Sequence, residues 1–172
     1  VPSRADAPTT FTRYAHALSP EATIAFLDRA RAAGVSPAAL AMSGYAKVLG
    51  IWSQNREFAL VATLLDRQDV HPRIGSLIGD FTSTGLVPVK ISDTDDLTRQ
   101  ISSGLADVLD HRTQSGVAVM RDLNRRTGGV QRFFPYVFTA AIDPSRITEK
   151  TAQAWRLTGG ITQTPQVFID CQ

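Results

Sequence analysis

The chain has 172 residues, 43% of them hydrophobic, which is enough for one core and too little for two of ordinary size. With 18 basic and 16 acidic residues the net charge is +2, so the pI near 9.0 reflects a small surplus and not the basic stripe of a nucleic-acid binder. One cysteine excludes an internal disulfide framework, and together with the scattered His16, His71 and His111 it supplies no metal site.

Nearly all the positive charge is arginine, since Lys47, Lys90 and Lys150 are the lysines, a balance that favours fixed carboxylate or phosphate contacts. No apolar run is long enough to cross a membrane and the start, VPSRADAPTTF, has no signal-peptide pattern. A cytoplasmic protein without membrane contact is expected.

Residues 1–12 are rich in Pro, Ala and Thr and read as a linker or a remnant of an upstream region, with folding expected from about Tyr14. Ser19-Pro20-Glu21 starts a helix that Gly34 ends, with Ile24, Leu27 and Ala30 inward. Ser36-Pro37 starts a second, with Leu40, Ala41, Gly44, Tyr45, Val48, Leu49 and Trp52 on its buried face. Gly44 within that stripe predicts a backbone packed closely against it. Residues 58–65, FALVATLL, form a short apolar run expected of a mid-sheet strand covered on both faces.

After a polar turn at 66–72, residues 74–82 lead into a strand at 86–91, which Pro88 assigns to an edge or a bulge. Residues 92–96, SDTDD, cap a helix carrying Leu97, Ile101, Leu105, Val108 and Leu109. A further helix spans about 115–126, with Val117, Met120 and Leu123 inward, and Gly128-Gly129 end it. Residues 133–140, FFPYVFTA, read as a buried strand, 143–160 as polar and irregular, and 167–171 as a last strand. This order gives an α/β fold with a mixed β-sheet flanked by helices, not regular βαβ winding. There is neither GxGxxG nor a P-loop, so nucleotide-binding folds lose their main support.

Four stretches, in order, resemble the motifs of the heterocyclization domains of nonribosomal peptide synthetases, relatives of condensation domains. Residues 36–52, SPAALAMSGYAKVLGIW, resemble the helix motif that begins Thr/Ser-Pro and ends Leu-x-x-Trp. Residues 79–82, GDFT, preceded by VHPRIGSLI, match the motif of the same letters. Residues 135–139, PYVFT, resemble PVVFTS, and residues 162–170, TQTPQVFID, resemble (S/T)QTPQVxLD almost residue for residue. The resemblance runs over roughly residues 11–172 and implies a chloramphenicol-acetyltransferase-like lobe. On it, residues 13–172 are the C-terminal lobe, with the N-terminal lobe absent and the C-terminal end truncated. Tyr136 and Ala140 depart from the motif, the family's downstream Trp-Asp pair is missing, and its Asp-x-x-x-x-Asp motif belongs to the N-terminal lobe.

The family joins a carrier-bound acyl or peptidyl donor to carrier-bound Cys, Ser or Thr, then cyclizes and dehydrates the product to a thiazoline or oxazoline. The resemblance implies Asp170 as proton carrier, Thr139 as a hydroxyl that holds the reacting group, and Gln163 as the residue orienting them. Asp80 and Thr82 would shape the site. It implies no cofactor of the chain's own, substrates held on the phosphopantetheine of carrier proteins, and an isolated lobe without activity. The implied partners are peptidyl or aryl carrier domains, the N-terminal lobe and an adenylation domain nearby.

Without the resemblance, an Asp at a strand end is a turn or cap residue, a strand Thr is β-branched filler, and Asp80 is an Asx-turn residue. Cys171 has no His placed near it by spacing and reads as small core filler. His71 and His111 read as surface or cap residues, and Arg125-Arg126 as a solvated helix end on which an acidic carrier protein can dock. Two other readings stay open: an ordinary amide-forming condensation lobe, and a non-catalytic lobe that docks carrier proteins or another module.

Overall fold

The structure, a computed structural model, describes residues 12–93, 96–128, 132–142 and 166–172. The expected linker, apart from Thr12, and the polar stretch 143–160 lie outside these. Regular structure starts at Pro20 and not near Tyr14, which is exposed. Helix α1 spans Pro20–Ala32 and α2 spans Pro37–Trp52. Both open as the Ser-Pro pairs predict. The Ser19 hydroxyl accepts from Ala22 N at 3.2 Å and the Ser36 hydroxyl from Ala39 N at 3.1 Å, satisfying N–H groups that have no partner within the helix.

The buried stripe of α2 differs from the expected one. It consists of Ala39, Met42, Ser43, Ala46 and Leu49, while Val48 and Trp52 are exposed. So many positions in this helix are apolar that periodicity cannot fix its rotation; the small residues face inward because α3 packs against them. Gly44 is exposed, and a Cβ there would meet nothing within 4 Å among the described residues, so none of their backbone packs on it. In α1, Ala30 is buried and Ile24 is exposed, because α1 lies at the margin of the core.

Strands β1 (Glu57–Leu65), β2 (Thr82–Lys90), β3 (Tyr136–Thr139) and β4 (Ile169–Cys171) form one sheet in the order β2-β1-β3-β4. β2 is antiparallel to β1, and β3 and β4 run parallel to it. The mixed sheet flanked by helices is thus as expected, and so is central β1, whose Leu60, Val61 and Ala62 are buried on both faces. β2 is an edge strand, which accommodates Pro88. It begins at Thr82, earlier than the expected 86, because Thr82 pairs with Leu65 and the full length of β1 recruits the polar residues before it. β3 and β4 are shorter than the expected 133–140 and 167–171.

Asp96 caps α3 (Leu97–Asp110) and Ser115 caps α4 (Gly116–Arg126). Met42, Ala46 and Leu49 of α2, Ile101 of α3, Leu60 and Ala62 of β1, Val87 and Val89 of β2 and Phe138 of β3 form the main core, so α2 and α3 cover one face of the sheet. Leu109 and Val117 are exposed, against expectation, and Met120 and Leu123 are half-buried. The Gln100 amide meets both Lys90 N and Lys90 O, at 2.8 and 3.2 Å, which blunts the open edge of β2.

Two glycines test this packing with opposite signs. Gly44→Ala adds a methyl in open space and gains helix propensity, so stability rises by about 0.5–1 kcal/mol. Gly116→Ala puts a Cβ 2.8 Å from the backbone oxygen of Thr84, and forcing α4 away from β2 costs about 1–3 kcal/mol. Urea unfolding of the two variants reads both; a stabilised Gly116→Ala contradicts the contact.

Candidate functional site

Partners in a β-ladder direct their side chains to the same face, and successive residues alternate. Val61, Ala62 and Thr63 pair with Val137, Phe138 and Thr139, and Val137 and Phe138 pair with Asp170 and Cys171. On the helix-covered face this aligns Ala62, Phe138 and Cys171. On the other face it makes one row of Leu86, Val61, Val137 and Asp170, and a second of Thr84, Thr63 and Thr139. Asp170 and Thr139 therefore share a face, two residues out of step on neighbouring strands, with Cβ atoms roughly 8 Å apart.

Each is already engaged. Thr139 Oγ1 donates to Thr63 Oγ1 at 3.0 Å, and Asp170 Oδ2 accepts from Gln172 Nε2 at 2.8 Å. Thr139 is half-buried and Asp170 exposed. The turn before β4 holds Gln166 at φ 75°, a left-handed conformation unfavourable for a side-chain-bearing residue. It delivers Phe168 N and Ile169 N to Pro135 O, at 2.8 and 3.2 Å, which sets the register of β4 against β3. Gln163 lies outside the described residues.

Thr82 begins β2, one same-face step beyond the Thr84 row, and Asp80 lies two residues before it. Asp80 Oδ1 accepts from Thr82 N at 2.8 Å, the Asx turn read from the sequence. Hydrogen bonds from the Thr82 hydroxyl and N–H hold its carboxyl below the usual range. The preceding loop is organised by Arg67, which sequence reasoning passed over: Nη1 donates to Ile74 O at 2.7 Å and Leu77 O at 2.9 Å, and the guanidinium lies 4.1 Å from the Phe81 ring centroid. Thr63 was missed as well. Its signal is a lone hydroxyl in the apolar run 58–65, but only the register joins it to Thr139.

No family model matches the sequence. Pyochelin synthetase PchF of Pseudomonas aeruginosa is 37% identical over all of this chain, and phenyloxazoline synthase MbtB of Mycolicibacterium paratuberculosis is 35% identical over 94% of it. The chain spans only 10% and 14% of the length of these relatives. Among solved structures, a cyclization-docking bidomain of the nonribosomal peptide synthetase EpoB from Sorangium cellulosum superimposes with a TM-score of 0.71 at 27% identity. It covers 89% of this chain and 32% of its own. The nonribosomal peptide synthetase FmoA3 gives 0.74 at 29%, covering 88% and 18%. The chain belongs to the condensation- and cyclization-domain family of nonribosomal peptide synthetases. Its fold is the chloramphenicol-acetyltransferase-like fold of condensation domains.

In this family member the helix-covered face anchors the strands that bear Thr139 and Asp170. Tyr45 of α2 stacks on Phe138 with ring centroids 6.0 Å apart and donates to Ile169 O at 3.2 Å. Burial above all, then the charges of Cys171, Asp170 and Tyr136, pushes its phenol far above the ordinary range. Burial and the Asp170 charge also push the Cys171 thiol up, away from the thiolate that a nucleophile needs, and the side chain packs against the core. His71 Nδ1 accepts from Arg73 N, and His111 Nδ1 meets Asp107 O at the end of α3. Arg125 and Arg126 pair with Asp122 on an exposed helix end. These are the structural roles the residue types predict.

The raised Tyr45 and Cys171 give a pH dependence of known sign. Their stabilisation is complete below about pH 8 and declines as pH rises past about 8.5 and 10, where the unfolded thiol and phenol lose protons that the folded chain keeps. Urea midpoints should fall steadily in alkali, Cys171→Ala flattening the earlier part and Tyr45→Phe the later; a slope untouched by either variant contradicts the assignment.

Proposed function

We propose that residues 13–172 are the C-terminal lobe of a heterocyclization domain, which condenses a carrier-bound acyl or peptidyl donor with carrier-bound Cys, Ser or Thr and cyclodehydrates the product to a thiazoline or oxazoline. The observation that carries the reading is the common face of Thr139 and Asp170, the chemistry-bearing residues of the PYVFT and TQTPQVFID segments, on adjacent parallel strands. An amide group can lie between a carboxylate and a hydroxyl so spaced. The relative MbtB is a phenyloxazoline synthase, which favours ring chemistry over amide formation alone.

In this mechanism the Asp170 carboxylate takes the proton of the substrate thiol or hydroxyl as its sulfur or oxygen bonds to the amide carbonyl carbon, and returns that proton to the carbonyl oxygen. The resulting hydroxyl then leaves as water. The second proton of that water comes from the amide nitrogen, by way of Asp170, as the C=N bond forms. Thr139 holds the reacting amide, Gln163 orients it, and Asp80 and Thr82 shape the end of the channel. The phosphopantetheine arms belong to the peptidyl or aryl carrier domains. The N-terminal lobe supplies the opposite wall, and an adenylation domain loads the acceptor carrier. No helix among the described residues is long and apolar enough to cross a membrane, and the proposed setting is the cytoplasm.

In the complete synthetase, Asp170→Asn should leave amide formation and slow ring closure by roughly 100-fold or more, the scale of general acid–base catalysis. Mass spectrometry then finds the linear product, heavier by one water. Ring formation at the parental rate removes Asp170 from the chemistry. The 172-residue lobe alone should form no ring, and the added N-terminal lobe should restore it.

A further inference from the structure

The row Thr84, Thr63 and Thr139 runs across three strands on the face that carries Asp170. Within it, Thr139 Oγ1 donates to Thr63 Oγ1 at 3.0 Å. A threonine hydroxyl has one proton to give and two lone pairs to offer. When Thr139 gives its proton to Thr63, its lone pairs are left for a donor in front of the sheet. We infer that Thr63 is a positioning residue for ring closure: it takes the Thr139 proton and so fixes the Thr139 hydroxyl as an acceptor for the N–H of the carrier-bound amide while the thiol or hydroxyl attacks, before that N–H is surrendered to Asp170 in the dehydration step. The inference rests on the proposed function above.

The surroundings favour a fixed pair over a wandering one. Both residues are β-branched and stiff at χ1. Both are half-buried, and they are direct ladder partners on strands whose neighbouring Ala62 and Phe138 are locked into the core. Thr84, next in the row, does not compete for Thr63, because its buried Oγ1 has no hydrogen-bond partner among the described residues. An amide held through its N–H keeps its carbonyl carbon facing the attacking thiol or hydroxyl, and alignment of this kind is where a fixed hydroxyl contributes to rate.

The test uses the complete synthetase with an acyl-loaded donor carrier and, in parallel, cysteinyl- and seryl-loaded acceptor carriers, following linear and cyclized products separately. Thr63→Val keeps the shape and removes the acceptor; it should slow ring closure about five- to tenfold, the scale of one net hydrogen bond, with amide formation unchanged. Thr63→Ser should restore ring closure, Thr84→Val should leave it unchanged, and Thr63→Val with Thr139→Val should be no slower than Thr139→Val alone. Full-rate ring closure in Thr63→Val overturns the inference while leaving the proposed function standing, provided Thr139→Val is slow. Equal slowing of amide formation and ring closure, or failure of Thr63→Ser to rescue, makes Thr63 merely structural. If Thr139→Val itself closes rings at the parental rate, the proposed role of Thr139 falls and that of Thr63 with it.

Discussion

Which side chains can meet on a sheet is decided by register, because a slip of one residue turns every side chain to the opposite face. Here the parallel ladders from β1 to β3 and from β3 to β4 carry that burden. With Thr63 beside Thr139 and Val137 beside Asp170, the hydroxyl pair and the carboxylate share one surface. A one-residue slip of β4 would send Asp170 among the core residues and expose Cys171. The desolvation cost of a buried, unpaired carboxylate then opposes that slip.

The helix-covered face holds this register in place. Phe138 and Ala62 are nearly inaccessible within a core completed by α2 and α3, and the Tyr45 hydroxyl reaches across to the backbone of β4 itself. A strand of three residues has little ladder of its own, so this tether and the bonds from Phe168 N and Ile169 N to Pro135 O matter more than they would for a long strand. At the other side of the sheet, the Asp66 N–H bonds to Phe81 O at 2.8 Å and Arg67 gathers the loop behind the GDFT segment. Asp66 also forms an ion pair with Arg112 at 3.7 Å, too long for a hydrogen bond, which links that loop to the connection between α3 and α4.

Much of this was legible in the residues, for reasons that are local. Ser-Pro pairs start α1 and α2 because the cap hydroxyl and the proline ring act within one turn, and the nearly continuous apolar run at 58–65 needs cover on both sides wherever it sits. The rotation of α2 was not legible: with apolar residues nearly all round, only its packing against α3 chooses Met42 over Trp52. The early start of β2 was hidden for a similar reason, since Thr82 joins the strand through its partner Leu65 and not through its own preference. The candidate residues Asp170 and Thr139 came from motif resemblance, and their common face from pairing between segments about 30 residues apart in sequence. Thr63 belongs to neither source, as it looks like strand filler until its partner is known.

The central claim is that Thr139 and Asp170 act together on one substrate group from one face of the sheet. A double-mutant cycle measures this directly, with ring-closure rates for the complete synthetase, Thr139→Val, Asp170→Asn and the double variant. Residues that act as a unit lose most of their effect once either is gone, so the double variant should be about as slow as the slower single one. Losses that multiply would mean that the two side chains work independently, and the shared face would then have no mechanistic meaning.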